Sequence, residues 1–407
     1  MKRHNILKES VLATVVILIV TYLISFLPLS QEYGKAFHQG LSDFDIYDIH
    51  YSGKNNSNSK RDTNIVLVEV GDNRSEIADQ INLLSLYHPK VIGLDVLFER
   101  PNPNDMDPLG DSVLNNALKN NSNIVLSFRF LDGNSEIPNF FRTVAFNKSG
   151  YVNWNGELIS VVRTYAPIKK INGKDYESFT TSIARLFDHE KYNKLIQRKS
   201  QEELINYTGN IENYTSILKD ELKEYRDNGE LDRILKNKIV LLGFFVRQNE
   251  NLQPPLILDD LHFTPLNEKI VSGKSFPDMY GVVIHANILS MILNDNNTRY
   301  GTIAPMVISY LFAFVFVFLF NYYIILQFHK KEHPSHGLFL LLQLLLIVVI
   351  IYFFLLLFDI SLFKVRLEPI LIGMVLCLEM LGLYKTIALM LHRKFNYFTI
   401  FSHKRIV

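Results

Sequence analysis

The 407-residue chain carries 42 Lys and Arg against 41 Asp and Glu, is 48% hydrophobic and has a single cysteine. That length leaves room for two or three domains of roughly 150 residues. One cysteine excludes a disulfide-stapled scaffold. Four long apolar runs exclude a soluble or disordered chain.

The near-zero net charge averages two unlike parts. Outside residues 30–302 there are 12 Lys and Arg against 5 Asp and Glu, or +7; inside there are 30 against 36, or −6. An acidic block of that size argues against nucleic-acid binding.

In chain order, Lys2, Arg3 and Lys8 precede a charge-free run at 11–29, which reads as a retained signal anchor with its amino-terminus in the cytoplasm. Residues 30–60 read as a lead-in ending in a polar linker at 52–60. The apolar segments 64–70, 91–98, 123–130 and 238–244 read as buried strands. Segments 75–87, with Ser75 as its cap, 109–119 and 282–293 read as helices. Segments 143–151 and 159–167 look like antiparallel strands, and charged residues 191–235 look mostly helical. The expected fold is therefore α/β, a mostly parallel sheet flanked by helices with an antiparallel insertion.

Three more runs follow, at 303–327, 338–358 and 367–391, the last with Glu379 and Lys385 inside it. Each is long enough to cross a bilayer core of about 20 residues. The basic residues lie before the first run, between the second and third, and after the fourth. Four transmembrane helices with both ends inside satisfy the positive-inside rule. The expected parts are an anchor at 1–29, an extracytoplasmic domain at 30–302, three spans at 303–391 and a basic tail at 392–407.

Several motifs follow one another in this frame: EVGD at 69–72, KVIGLDVLF at 90–98, NIVLS at 123–127, GYVN at 150–153, Val162-Arg163 and INYTG at 205–209. KIVLLG at 238–243, DLHFTP at 260–265 and GVVIHAN at 281–287 complete the series. Between one leading and three following spans, it resembles the second type of CHASE domain, the extracellular sensory domains associated with cyclases and histidine kinases. The resemblance covers about residues 30–390. It implies a non-enzymatic sensor in a bacterial cytoplasmic membrane, with its large domain periplasmic. The sensor would bind an unknown small ligand or protein and signal through its helices, and it is a possible homodimer. Family members usually carry an output domain. The short tail makes a separate cytoplasmic or membrane signalling protein the expected partner.

In a parallel sheet, ligands gather beyond the carboxyl ends of the strands. Glu69, Asp72, Asp95 and Arg129, with Glu99 nearby, fall at those ends; Asp260, His262, Thr264, His285 and Asn287 come from the later motifs. A pocket holding Asp72, Asp95 and His285 would take a cation, an amine or another small polar ligand. The alternative is bracing: Asp95 bonded to backbone or to Arg163, His285 steadying its helix, Gly243 serving a tight turn. No HxxxH or CxxC spacing supports a metal, no cofactor is expected, and no nucleophile elbow or phosphate loop is present. Tyr151, Trp154 and Phe140–Phe141 form an aromatic group, read as core or as a ligand or dimer surface. Inside the spans, Glu379, Lys385, Gln343 and Asn321 read either as interhelical hydrogen-bonding groups or as a sensing site. Two further functions stay open: an assembly subunit of an envelope complex, and a membrane-bound hydrolase using Asp95, Asp260 and His285.

Overall fold

The computed structural model describes residues 2–25, 45, 47–48, 51, 61–131, 135–144, 148–154, 161–247, 260–267, 277–297, 303–330, 336–361, 364–365 and 367–402. The linker at 52–60 and most of the lead-in fall outside these residues. The chain divides into two compact units, 42–301 and a second made of 1–41 with 302–407.

The second unit begins with α1 (Lys2–Ser25). The first opens on β1 (Ile65–Glu69), α2 (Arg74–Ser85), β2 (Val91–Leu94), α3 (Gly110–Asn120) and β3 (Ile124–Leu131). Then come β4 (Ser135–Ile137), β5 (Ser149–Tyr151), β6 (Thr164–Tyr165), β7 (Ile168–Ile171), β8 (Lys174–Glu177), α4 (Phe179–Phe187), α5 (His189–Gln197), β9 (Glu203–Leu204) and β10 (Thr215–Ile217). Short α6 (Leu222–Asp227) and α7 (Leu231–Leu235) lead to β11 (Ile239–Gly243), the ladder of β12 (Leu261–His262) and β13 (Met279–Tyr280), and α8 (Gly281–Leu293).

The main sheet runs β10-β1-β11-β2-β3-β4, with β5 also on β3. All of its pairings are parallel except β3 with β4. Strands covered on both faces must be apolar at successive positions. Accordingly, β2 and β11 are buried throughout and β1 at its first four residues. On one face, Val66, Val68, Ile92, Leu94, Val240 and Leu242 pack with Ile77, Ile81 and Leu84 of α2 and Leu114 of α3. The other face is closed by α4 and α8. There a Cβ on Gly93 would meet Ile183 and Phe179, and one on Gly243 would meet Val282.

Several elements differ from expectation. Asn73, not Ser75, caps α2, its side chain accepting from Glu76 N. Asp95–Phe98 leave the ladder, so Asp95 stands just past β2 rather than inside a strand. Segments 143–151 and 159–167 do not pair: β5 adds parallel to β3, and β6 pairs antiparallel with β9, while 145–147 and 155–160 lie outside the described residues. The region 191–235 is not one helical stretch, because its middle supplies β10, an outer strand of the sheet. A β7–β8 hairpin turns at Asn172-Gly173, both with positive φ, as a two-residue primed turn requires.

Gly150 is where β5 touches the start of α4. A Cβ there would lie 2.5 Å from Phe179 Cα and 2.6 Å from Phe179 N, atoms that cannot swing aside. Gly150→Ala is expected to destabilise this unit by about 2–3 kcal/mol, read as a lower thermal midpoint of the emission of Trp154, the chain's one tryptophan.

In the second unit, α1 packs with α9 (Ile303–Lys330) and α11 (Glu368–Phe395), and α10 (His336–Ser361) lies on α11. All four helices are long and apolar enough to cross a membrane. Their polar groups join them. Asn321 Nδ2 donates to Thr14 Oγ1 at 3.0 Å, and Cys377 Sγ donates to Asn321 Oδ1 at 3.0 Å. Gln343 Nε2 donates to Val375 O at 3.1 Å, and Tyr384 donates to the buried Glu9 at 2.6 Å. Asn321 and Gln343 thus take the interhelical role, and Glu9 is a group sequence reasoning passed over.

Candidate functional site

The sheet register brings Glu69, Gly243 and Asp95 side by side at the carboxyl edge. Glu69 pairs with Gly243 across β1–β11, and Asp95 N donates to Leu242 O one position earlier. Gly243 leaves room between its neighbours; its Cβ would sit 3.4 Å from Asp95 Cβ. The carboxyl of Asp95 therefore meets α8, where His285 Nε2 lies 3.7 Å from Asp95 Oδ2. That is longer than a hydrogen bond.

Three further groups complete the cluster. The Trp154 ring lies over the His285 ring with centroids 4.7 Å apart, and Phe179 meets His285 edge-on at 5.0 Å. Trp154 Nε1 donates to His262 Nε2 at 3.3 Å, and that nitrogen lies 3.4 Å from Asp260 Oδ1. Asp260 has φ +60°, a left-handed conformation that Asp tolerates better than most residues, and its carboxylate fills the space a Gly281 side chain would need.

Burial sets the charge state of the inner pair. Desolvation raises the Asp95 carboxyl well above its usual range, and the charge of Asp260 adds to this. Desolvation, with the charge of His262, lowers His285 to about 3. Burial thus favours the neutral form of both groups. His285 Nδ1 is buried and has no hydrogen-bond partner among the described residues. Such an atom costs about 1–3 kcal/mol until something bonds to it. Asp260 is the exposed member, at 42%. The arrangement sets the exposed Asp260 carboxylate beside His262, with the Trp154 ring on His285 and the buried Nδ1 of His285 unpartnered.

The other candidate residues lie elsewhere. Asp72 is exposed and pairs with Lys219, whose backbone N donates to Glu69 Oε2 at 3.1 Å. Among the described residues the Asp72 side chain contacts Lys219 and not His285, while Asp95 is the acid beside that ring. Arg129 pairs with Glu99 at 2.5 Å. Arg163 does not reach Asp95; it holds Asp48, with its Nε 3.0 Å from Oδ1 and an Nη 2.6 Å from Oδ2. Asn287 accepts from Thr208 N at 2.9 Å and donates to Gly209 O at 2.9 Å, bracing the INYTG loop. Thr264 bonds Asp278 through its N at 2.7 Å and its Oγ1 at 2.6 Å. The aromatic group divides as well: Tyr151 packs with Phe130, Phe140 with Phe141, and Trp154 with His285. Asp260, His262, Asp95 and His285 come together; Trp154 joins them on the strength of no motif. Among the described residues no group of three His, Cys, Asp or Glu side chains is arranged to hold a metal ion.

A family model, the CHASE2 domain, matches residues 17–321. The chain belongs to the CHASE2 family. CHASE2 domains are sensory domains, and the match spans the sheet, the His285 cluster, the end of the first apolar helix and most of the second. No match was found among curated proteins or among solved structures. The CHASE2 residues that sequence reasoning missed are Asp48 and Asp278; Trp154 reads from the sequence as core or as a ligand or dimer surface, without its link to His285.

Asp278 yields a pH prediction. Desolvation raises it to about 7, against the lowering pull of its bonds from Thr264. A carboxyl raised from 3.8 holds its proton in the folded state over this window, so its stabilisation is full below about pH 4 and lost as pH rises through 7. His285 acts in the opposite direction, because the unfolded ring gains a proton near 6.5 and the folded one does not. The stability of Asp278→Asn relative to the parent chain is expected to improve by up to about 4 kcal/mol from pH 4 to pH 8. Urea unfolding followed by Trp154 emission measures it; a difference independent of pH would contradict the assignment.

Proposed function

We propose that this CHASE2 protein is a membrane-anchored receptor whose outer domain binds a small, positively charged ligand at the Asp260–His262–Trp154 mouth. The change passes through α8 and the spans to a separate signalling protein. The domain faces away from the cytoplasm of a bacterial cell, and both chain ends face in. The family match over 17–321 carries this reading. The basic segments flanking the apolar helices support the orientation. The exposed carboxylate of Asp260 and the ring of Trp154 support a cationic ligand, since an ammonium group is drawn to both. A ligand shifts the protein only by its differential affinity for two states, and the unpaired Nδ1 of His285 gives it an atom to satisfy in one of them.

The test is the thermal midpoint of the full chain, read by Trp154 emission, across a panel of small amines with inorganic anions as controls. An amine is expected to raise the midpoint by several degrees at saturation, and Asp260→Asn is expected to abolish the shift. Stabilisation by anions alone would contradict the charge assignment. A protein-binding role has one observation in its favour: Met106 is 92% exposed on a loop fixed by Asp107, which accepts from Arg74 N at 3.0 Å and from Asn102 Nδ2 at 3.2 Å. Retention of a stoichiometric partner without any ligand response would favour it.

A further inference from the structure

The membrane unit satisfies Thr14, Asn321, Cys377 and Glu9 with partners of its own. Glu379 is different. It lies near the middle of the α11 span, its side chain is exposed, and it makes no hydrogen bond or ion pair among the described residues. Val375, Gly382, Thr386 and Met390 are exposed with it, at spacings of three and four that put all five on one helix face. A Cβ on Gly382 would touch nothing within 4 Å, so the turn after Glu379 is a notch where another backbone can approach. Thr386 spends its hydroxyl on Gly382 O at 3.1 Å and leaves none for Glu379.

A carboxyl in hydrocarbon is costly and persists where a partner meets it. We propose that this face of α11 docks a transmembrane helix of another protein carrying Lys, Arg or another hydrogen-bond donor at the depth of Glu379. A second copy is the poorer occupant, because related by a two-fold axis it would set carboxyl against carboxyl. The proposal rests on the receptor reading, and it names where the separate signalling protein binds.

The test uses the full chain in its native membrane, with photo-reactive benzoylphenylalanine at Leu383, beside the face, or at Met390, at its end, and at Val349 of α10 as control; all three are exposed. The expected adduct at the first two sites is an apolar segment of another protein containing a basic or donor side chain. Its yield should fall about tenfold with Glu379→Leu and less with Glu379→Gln. An adduct to a second copy, or one indifferent to Glu379→Leu, overturns the docking face while leaving the receptor reading intact. Lipid adducts alone at all three sites also overturn the docking face, and the amine test decides the receptor reading separately.

Discussion

Asp48→Ala is expected to cost the CHASE2 domain about 3–5 kcal/mol, the range for breaking one side of a buried ion pair. Asp48 is 3% exposed and Arg163 15%, and two arms of the guanidinium grip the carboxylate. Removing the acid takes away the carboxylate that both arms hold. The consequence is not confined to the pair. Tyr47 and Tyr51 beside it are buried, and Tyr51 packs edge-on against Tyr207, whose hydroxyl donates to Val162 O at 2.8 Å. Tyr47, Asp48 and Tyr51, from a stretch that reads as lead-in, are thus buried in the 42–301 unit. In urea unfolding of the full chain followed by Trp154 emission, the midpoint should fall with little change in slope. Replacing Arg163 by Leu in the Asp48→Ala background should restore part of the loss, because the stranded charge is then gone. A loss below about 1 kcal/mol, typical of an exposed pair, would contradict the burial argument.

Asn287→Leu should have a comparable effect for a different reason. Its amide is fully buried and serves four backbone groups: it accepts from Thr208 N and Gly209 N, and it donates to Gly209 O and Val283 O. Leucine fills the volume and satisfies none of them. With about 1–3 kcal/mol for each buried group left unmade and partial relaxation of the loop, the expected loss is about 3–4 kcal/mol. Asn287→Asp keeps the accepting bonds and faces Gly209 O and Val283 O with oxygen. Its buried carboxyl ionises reluctantly, so that variant should lose stability as pH rises from about 5 to 8. A loss for Asn287→Asp that does not change between pH 5 and 8 would contradict the burial argument.

What was legible in the sequence follows from how each feature is encoded. Strands covered on both faces leave continuous apolar runs, so β1, β2, β3 and β11 could be read directly, as could the four long helices. Boundaries slipped where the chain turns polar without a Gly or Pro, as at Asp95. The three-residue β10 is too short to show a period, and its partners β1 and Arg247 are distant in sequence. The Asn172-Gly173 turn was readable and its signal was passed over. Asp260, His262, Asp95 and His285 were reached through chain motifs and do assemble. Asp278, and the contact of Trp154 with His285, were not, because burial and ring stacking are properties of the closed domain and not of local pattern. Arg163 stood in a recognisable motif, but its partner Asp48 lies in a segment with no periodicity to mark it.

The state of the His285 cluster should be felt in the membrane unit, and two native side chains report on the two ends. Trp154 is the chain's one tryptophan and Cys377 its one cysteine, the latter buried and bonded to Asn321 between α9 and α11. The full chain is labelled at Cys377 with a membrane-permeant maleimide, with and without the amine that shifts Trp154 emission. The account predicts that the amine changes the labelling rate about fivefold and that Asp260→Asn removes the change. A rate at Cys377 indifferent to an amine that visibly occupies the Trp154 site would contradict it.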